Sequence, residues 1–284
     1  MAITFRKVSH VYSPEMPYAF KALQDIDLSI SEKKITAVIG HTGSGKSTLI
    51  QHLNALLLPS SGEIEILDHT IKAGEKSKNL KALRSHVGLV FQFSEYQLFE
   101  ETILKDVAFG PKNFDVSEEE ALQKAKKALK MVELDESFYE RSPLDLSGGQ
   151  KRRVAIAGIL AMEPEIIVLD EPTAGLDPHG AREMIKLFSD LNKKEGKTII
   201  IVCHDNEIVY RYCDETILMD HGAVLYAGDT KELFENSELR QKYRLQSPSI
   251  LVLQDLLREK GFHPKKHYAD LAELVKDTAQ EIRK

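Results

Sequence analysis

Apolar residues follow two main rhythms along the chain. Ile3-Thr4-Phe5 and Leu28-Ser29-Ile30 alternate apolar with polar, which predicts antiparallel strands within residues 1–36. Ile35-Thr36-Ala37-Val38-Ile39 is a short unbroken apolar run that stops at Gly40, the pattern of a strand buried on both faces. From Ser47 to Leu58, apolar residues at 49, 50, 53, 56 and 57 form a helical stripe ended by Pro59. Residues 62–67 alternate again, and 87–91 predict another strand. Ser117–Val132 is rich in Glu, Ala, Lys and Leu, and Ser117 with Glu120 has capping-box spacing. Residues 95–160 therefore read as a mostly helical insertion. Strand character returns at 165–170 and 198–203, with a helical stretch near 180–194 between them. Strands alternating with helices predict a parallel α/β sheet.

The rhythm changes once more near residue 237. Residues 249–260 carry apolar positions at 250, 253, 256 and 257 before Gly261, and residues 270–282 carry them at 271, 274, 275 and 282. Two amphipathic helices are predicted. Their apolar faces either cover the chain's own surface or meet another protein, and the pattern leaves both readings open.

Composition narrows the partners. A formal net charge of −6 argues against nucleic acid, because phosphate neutralisation needs surplus Lys and Arg. Cys203 and Cys213 have no Cys-x-x-Cys spacing, which reads as two reduced thiols. The N-terminus shows no charged start followed by an apolar stretch, so no signal peptide is expected. The longest aliphatic runs fall well short of the roughly 20 residues needed to span a bilayer.

Chemistry concentrates at strand ends. Gly40-His41-Thr42-Gly43-Ser44-Gly45-Lys46-Ser47 fits G-x-x-x-x-G-K-[ST] between a predicted strand and a predicted helix, the context expected of a phosphate loop. Lys46 is expected to reach the β- and γ-phosphates of a bound nucleotide and Ser47 to ligate Mg²⁺. Thr48, next on the helix, is counted with the same site. Asp170 and Glu171 end an apolar strand and should face the phosphate loop across the crevice. Asp170 is expected to hold Mg²⁺ and Glu171 to polarise the attacking water. Gln92 and His204 follow two further strands at the same edge. Gln92 can offer a carbonyl to Mg²⁺ or orient water, and His204 can donate to the γ-phosphate. Leu146-Ser147-Gly148-Gly149-Gln150 opens a helix whose free N–H groups and dipole suit a second anion.

In this order, the phosphate loop, Gln92, Leu146–Gln150, Asp170-Glu171 and His204 resemble the motifs of ATP-binding-cassette (ABC) ATPases over roughly residues 3–230. The resemblance implies an α/β P-loop NTPase fold. That fold has a RecA-like parallel-sheet core, an antiparallel β subdomain and a helical subdomain. It implies an ABC nucleotide-binding domain over 1–236, its helical subdomain at about 95–160, and a C-terminal helical extension over 237–284. It also implies that Tyr12 stacks on adenine and that Ala174-Gly175-Leu176-Asp177-Pro178 is the family's D-loop. Two ATPases would pair head to tail with two ATPs between them. Ser147, Gly148, Gly149 and Gln150 of each would close on the other's γ-phosphate.

A narrower resemblance follows Gln92. Phe91–Phe99 and Phe109-Gly110-Pro111-Lys112-Asn113 are similar to the ATPases of energy-coupling-factor (ECF) transporters, prokaryotic importers of vitamins and metal ions. It implies that Glu95, Tyr96, Gln97 and Leu98 bind a partner, with Ser94 where the family usually has proline. His41 and the segment 155–164 look like the second of two paralogous ATPases, and Cys203 replaces a usual Thr or Ser. The implied partners are a paralogous ATPase, a transmembrane coupling protein and a substrate-binding membrane subunit. The implied place is the cytoplasmic face of the cell membrane, held peripherally, with the C-terminal helices joining the two ATPases. A conventional importer with an extracytoplasmic binding protein is the alternative, and the pattern after Gln92 argues against it. A non-transport ABC ATPase of repair or translation is a remoter alternative, set aside because the chain has one cassette and no heptad arm.

Overall fold

The structure, a computed structural model, describes residues 2–75 and 79–282, the side chains of 280–282 excepted. Ile282, the last apolar position of the expected tail stripe, is therefore outside the described side chains.

The first half holds β1 (Ile3–Tyr12), β2 (Phe20–Ile30), β3 (Ile35–Ile39), α1 (Lys46–His52), β4 (Ser61–Ile66), β5 (His69–Lys72), α2 (Leu80–His86), β6 (Val87–Val90), α3 (Ile103–Asn113) and α4 (Glu118–Met131). The second holds α5 (Gly148–Leu160), β7 (Ile166–Asp170), α6 (Pro178–Glu195), β8 (Thr198–Val202), α7 (Asn206–Tyr212), β9 (Glu215–Asp220) and β10 (Ala223–Asp229). Four helices close the chain: α8 (Thr230–Glu235), α9 (Ser237–Tyr243), α10 (Ser249–Glu259) and α11 (Leu271–Ile282).

Among the described residues the strands form two sheets. The antiparallel one has the order β2-β1-β4-β5, and the other has the order β10-β9-β3-β8-β7-β6. In the second sheet β9, β3, β8, β7 and β6 run parallel and β10 adds an antiparallel edge. The unbroken apolar runs in β3, β7 and β8 follow from burial on both faces. Successive side chains of a strand point to opposite faces. Ile166 and Val168 thus join the core against the antiparallel sheet with Phe5, Val8, Ile64 and Leu49. Ile167 and Leu169 join the core beneath the helices with Val107, Ile156 and Phe188.

The helical insertion between β6 and β7 contains a 3-10 turn at Ser94–Gln97, then α3, α4 and α5. Ser117 caps α4 by accepting from the Glu120 N–H at 3.3 Å.

Two local readings change. The helical stripe expected over 47–58 stops at His52. Ala55 turns left-handed at φ 54°, and the N–H groups of Leu56 and Leu57 both fold back to the Gln51 carbonyl. Leu56 and Leu58 are consequently exposed. The β9–β10 hairpin was not read from the sequence; its turn places His221 and Gly222 at positive φ, which a two-residue hairpin of this hand needs.

One face of the tail covers the chain's own surface and the other stays open to solvent. Leu251 and Leu274 are buried, and Leu251 enters the core beneath the helices. Gln254 is buried and locks α10 to the segment before α11. Its amide donates to the Tyr268 carbonyl at 2.9 Å, and its carbonyl accepts from the Tyr268 N–H at 2.8 Å. The outer face shows Val252, Leu253, Leu256, Leu271 and Val275 to solvent. No helix among the described residues is long and apolar enough to cross a membrane.

Candidate functional site

The phosphate loop leaves the C-terminal end of β3 and curls into α1. Two glycines are sterically required. A Cβ on Gly40 would stand 2.2 Å from the Met219 carbonyl oxygen, and one on Gly45, at φ 103°, would stand 2.8 Å from that of Ala22. Lys46 is buried, and its ammonium donates to the carbonyls of Gly40 at 2.8 Å and His41 at 2.9 Å, spanning the loop. Burial pulls its pKa down, while Glu171 and Asp170 pull the other way. Ser44 Oγ is buried in the loop without a hydrogen-bond partner. Tyr12 reaches the same helix, its hydroxyl 3.3 Å from Thr48 Oγ1, with the His10 ring edge-on at 4.6 Å.

Opposite the loop stands the end of β7. Burial and the neighbouring charge of Glu171 push the Asp170 pKa up, and a hydroxyl contact from Ser47 draws it back. Glu171 takes a left-handed conformation, φ 49°, and its N–H donates to the Val202 carbonyl at 3.2 Å. Its carboxylate is held on both oxygens. Gln92 Nε2 donates to one at 2.9 Å, and His204 Nε2 stands 2.7 Å from the other. Lys46 and Ser47 at the start of α1, and Gln92, Asp170, Glu171 and His204 at the ends of three parallel strands or just beyond them, thus converge on one edge. A carboxylate so placed can accept a proton from water, and the amide and imidazole fix its orientation.

The second anion-binding motif stands apart from this cluster. Ser147 and Gln150 form a reciprocal capping box at the start of α5. Ser147 N–H donates to Gln150 Oε1 at 3.0 Å, and Gln150 N–H returns to Ser147 Oγ at 3.4 Å. Those bonds stay within the first turn. Gly148 and Gly149 have open space where a Cβ would be, and their N–H groups are among those a helix leaves unpaired at its start. Asp177 caps α6, accepting from His179 N–H at 2.8 Å and Gly180 N–H at 3.0 Å, which lowers its pKa. The side chains of Ser147, Gln150 and Asp177 keep their bonds within their own helix starts.

The expected partner-binding segment divides. Tyr96 and Gln97 are exposed, Leu98 packs against the core, and Glu95 turns inward. Its carboxylate lies 3.5 Å from Arg152 Nε. Ser94, where proline is usual in the resembling family, donates its N–H to the Phe91 carbonyl at 3.2 Å, a bond proline cannot make.

Arg152 itself went unread in the sequence. It is 5% exposed on α5 and donates to the carbonyls of Gln92 at 2.8 Å, Pro172 at 3.4 Å and Ala174. One guanidinium therefore ties together the segment after β6, the segment after β7 and the helix that begins at the glycine pair. Within Lys151-Arg152-Arg153 it looks like one more solvated cation, and nothing local distinguishes it. Cys203 and Cys213 are both free and buried; burial pushes the Cys203 thiol up to about 11 and that of Cys213 well above its ordinary value.

Residues 23–174 match the family model described as ABC transporter. The chain is 49% identical over 285 residues to the energy-coupling factor transporter ATP-binding protein EcfA2 of Bacillus cereus, covering 100% of this chain and 97% of that protein. It is 50% identical over 262 residues to the EcfA2 of Enterococcus faecalis, covering 92% and 91%. Among solved structures it resembles cbiO1 from Clostridium perfringens, part of the ABC transporter complex cbiONQ, with 39% identity and a TM-score of 0.73 over 89% of this chain and 98% of that one. It also resembles the ATP-binding cassette MJ0796, a dimer bound to ADP and Pi, with 32% identity and a TM-score of 0.72 over 80% and 98%.

Proposed function

Because the chain belongs to the ABC transporter ATPases, we propose that it is one half of a head-to-tail ATPase pair that drives an ECF-type importer. The observation that carries this is the division of labour within one chain. A hydrogen-bonded cluster of Gln92, Glu171 and His204 stands beside Lys46, while the capped start of α5 takes no part in it. Each half lacks what the other offers, and a second cassette facing the first supplies it.

In this reading the phosphate loop, Gly40 to Thr48, wraps the triphosphate of ATP with backbone N–H groups, and Lys46 leaves its loop carbonyls for the phosphates. Tyr12, tied to Thr48, stacks on the adenine. The oxygen donors of Ser47, Asp170 and Gln92 fit Mg²⁺, a hard cation. When bound, Mg²⁺ neutralises charge on the phosphate oxygens. Glu171 takes a proton from the water that attacks the γ-phosphorus, and Gln92 and His204 hold its carboxylate in line. Ser147, Gly148, Gly149 and Gln150 close on the partner's nucleotide, with Asp177 at the seam. ATP thereby favours the closed pair and ADP the open one, and a membrane partner is driven by that difference.

The partners proposed are a paralogous ATPase, a transmembrane coupling protein and a substrate-binding membrane subunit of a vitamin or metal-ion importer. Tyr96 and Gln97 form the exposed part of the contact with the coupling protein, which holds the chain at the cytoplasmic face of the membrane. The apolar outer face of α10 and α11 supplies a contact between ATPases outside the nucleotide sites. The test is purification of the tagged chain from detergent-solubilised membranes. A paralogous ATPase and membrane subunits are expected to come with it; a soluble homodimer alone would overturn the assembly.

A further inference from the structure

His41, Asp220 and His221 are the only group of three metal-ligating side chains, among the described residues, whose donor atoms stand together; those atoms all lie within 4.8 Å of one another. They come from two turns held close by backbone. His41 is the second residue of the phosphate loop, Asp220 ends β9, and His221 opens the turn to β10. Gly222 N–H donates to the Ser44 carbonyl at 2.9 Å. From β2, Gln24 fixes the same turn by donating its side-chain amide to the His221 carbonyl at 2.9 Å and its N–H to that of Gly222 at 2.8 Å.

The bonding of His41 is informative. Its Nδ1 stands 2.7 Å from the Thr42 carbonyl oxygen, which can only accept, so Nδ1 carries a proton. In a neutral ring Nε2 then presents a lone pair, and it is aimed at the Asp220 carboxylate, itself an acceptor. Two acceptors in contact need a cation between them. A proton would relieve that contact alone. A metal ion would relieve it and also use His221, whose Nε2 stands 3.7 Å from the same carboxylate oxygen and whose ring meets that of His41 edge-on at 5.2 Å. The nearby ammonium of Lys46 is engaged by the carbonyls of Gly40 and His41.

We propose that His41, Asp220 and His221 form a binding site for a divalent late transition metal, of the Zn²⁺ class, beside the phosphate loop. Two imidazoles and one carboxylate suit Zn²⁺ and its neighbours rather than Mg²⁺. Tetrahedral ligands at ~2.0–2.2 Å from zinc stand about 3.4 Å apart, a spacing His221 and Asp220 already approach. The Thr42 carbonyl on Nδ1 is the outer partner that orients a histidine ligand and fixes its tautomer. The side chains of His41, Asp220 and His221 are 52%, 37% and 83% exposed, which leaves room for water to complete the coordination. The site differs from the oxygen set of Ser47 and Asp170 in ligand type. It has a route to the nucleotide, because the His41 carbonyl is one of the two that hold Lys46.

The test uses the untagged full chain, stripped with chelator and titrated with Co²⁺ in the absence of nucleotide. One ion per chain is expected, with the visible absorption bands of low-coordinate Co²⁺, displaced by Zn²⁺. Asp220→Asn and His221→Ala should each weaken binding at least tenfold. His221 is exposed in a turn and outside the nucleotide cluster, so His221→Ala should retain ATP binding, which verifies its fold. Binding isotherms unchanged in both variants, or a wild-type chain that takes up no Co²⁺, would overturn the proposal.

Discussion

His204 Nε2 stands 2.7 Å from Glu171 Oε1. The pairing follows from strand register: Asp170 on β7 is level with Val202 on β8, so the residues just beyond each strand reach the same edge. Glu171→Gln keeps the shape of the side chain but removes the proton acceptor. Turnover should fall by about 10²–10⁴-fold while nucleotide affinity is kept. Phosphate release at saturating ATP, measured beside equilibrium nucleotide binding in the assembled complex, checks both halves; turnover at the wild-type rate would refute the role given to Glu171.

Ser147→Arg fills the open space beside Gly148 and Gly149 with a long side chain. It should leave this chain's own phosphate loop intact and disable the site that its partner binds with. Complementation between two singly mutated cassettes separates the outcomes. Loss confined to this chain's own nucleotide site would contradict the head-to-tail arrangement.

Arg152→Lys keeps the charge and loses the fork. A lysine ammonium cannot reproduce the guanidinium's fixed spread of donors across the carbonyls of Gln92, Pro172 and Ala174. Each buried acceptor left unpaired costs about 1–3 kcal/mol, so denaturant unfolding should show a loss of that order and ATPase activity should fall with it. Arg152→Ala also strands Glu95, and about 3–5 kcal/mol is expected. A double-mutant cycle with Glu95→Gln isolates the ion pair from the carbonyl bonds.

His52 predicts a pH dependence of stability. It is fully buried at the end of α1, its Nδ1 2.7 Å from the Thr48 carbonyl and its ring edge-on to His10 on β1 at 4.9 Å. Burial lowers its pKa from 6.5 to about 4. Between those values the unfolded chain binds a proton that the folded chain refuses, so stability rises with pH there and falls on acidification. From pH 7 to pH 5 this one group should remove about 2 kcal/mol. Urea unfolding at the two pH values checks it, and His52→Gln should flatten the slope; an equal slope in the variant would assign the effect elsewhere.

Much of the sheet was legible because its central strands are buried on both faces and contain little besides Ile, Val, Leu and Ala. The phosphate loop was legible because its glycines answer a backbone need that few other residues meet. What escaped depended on distant partners. The end of α1 is set by a left-handed Ala55, a residue with no such preference of its own. The ion pair of Glu95 with Arg152 depends on α5, which lies more than 50 residues on in the sequence. Arg152 was hidden among cations, since its burial is created by segments 20 and 60 residues away in sequence.

The acceptors that surround Arg152 are all main-chain oxygens apart from Glu95. Such acceptors are present whatever side chain a position carries. Pro172 and Ala174 can therefore drift in side chain through descent without breaking this junction, provided the path of the backbone is kept. The guanidinium has no such latitude. A screen of substitutions at Pro172 and Ala174 should therefore find tolerance where Arg152 finds none.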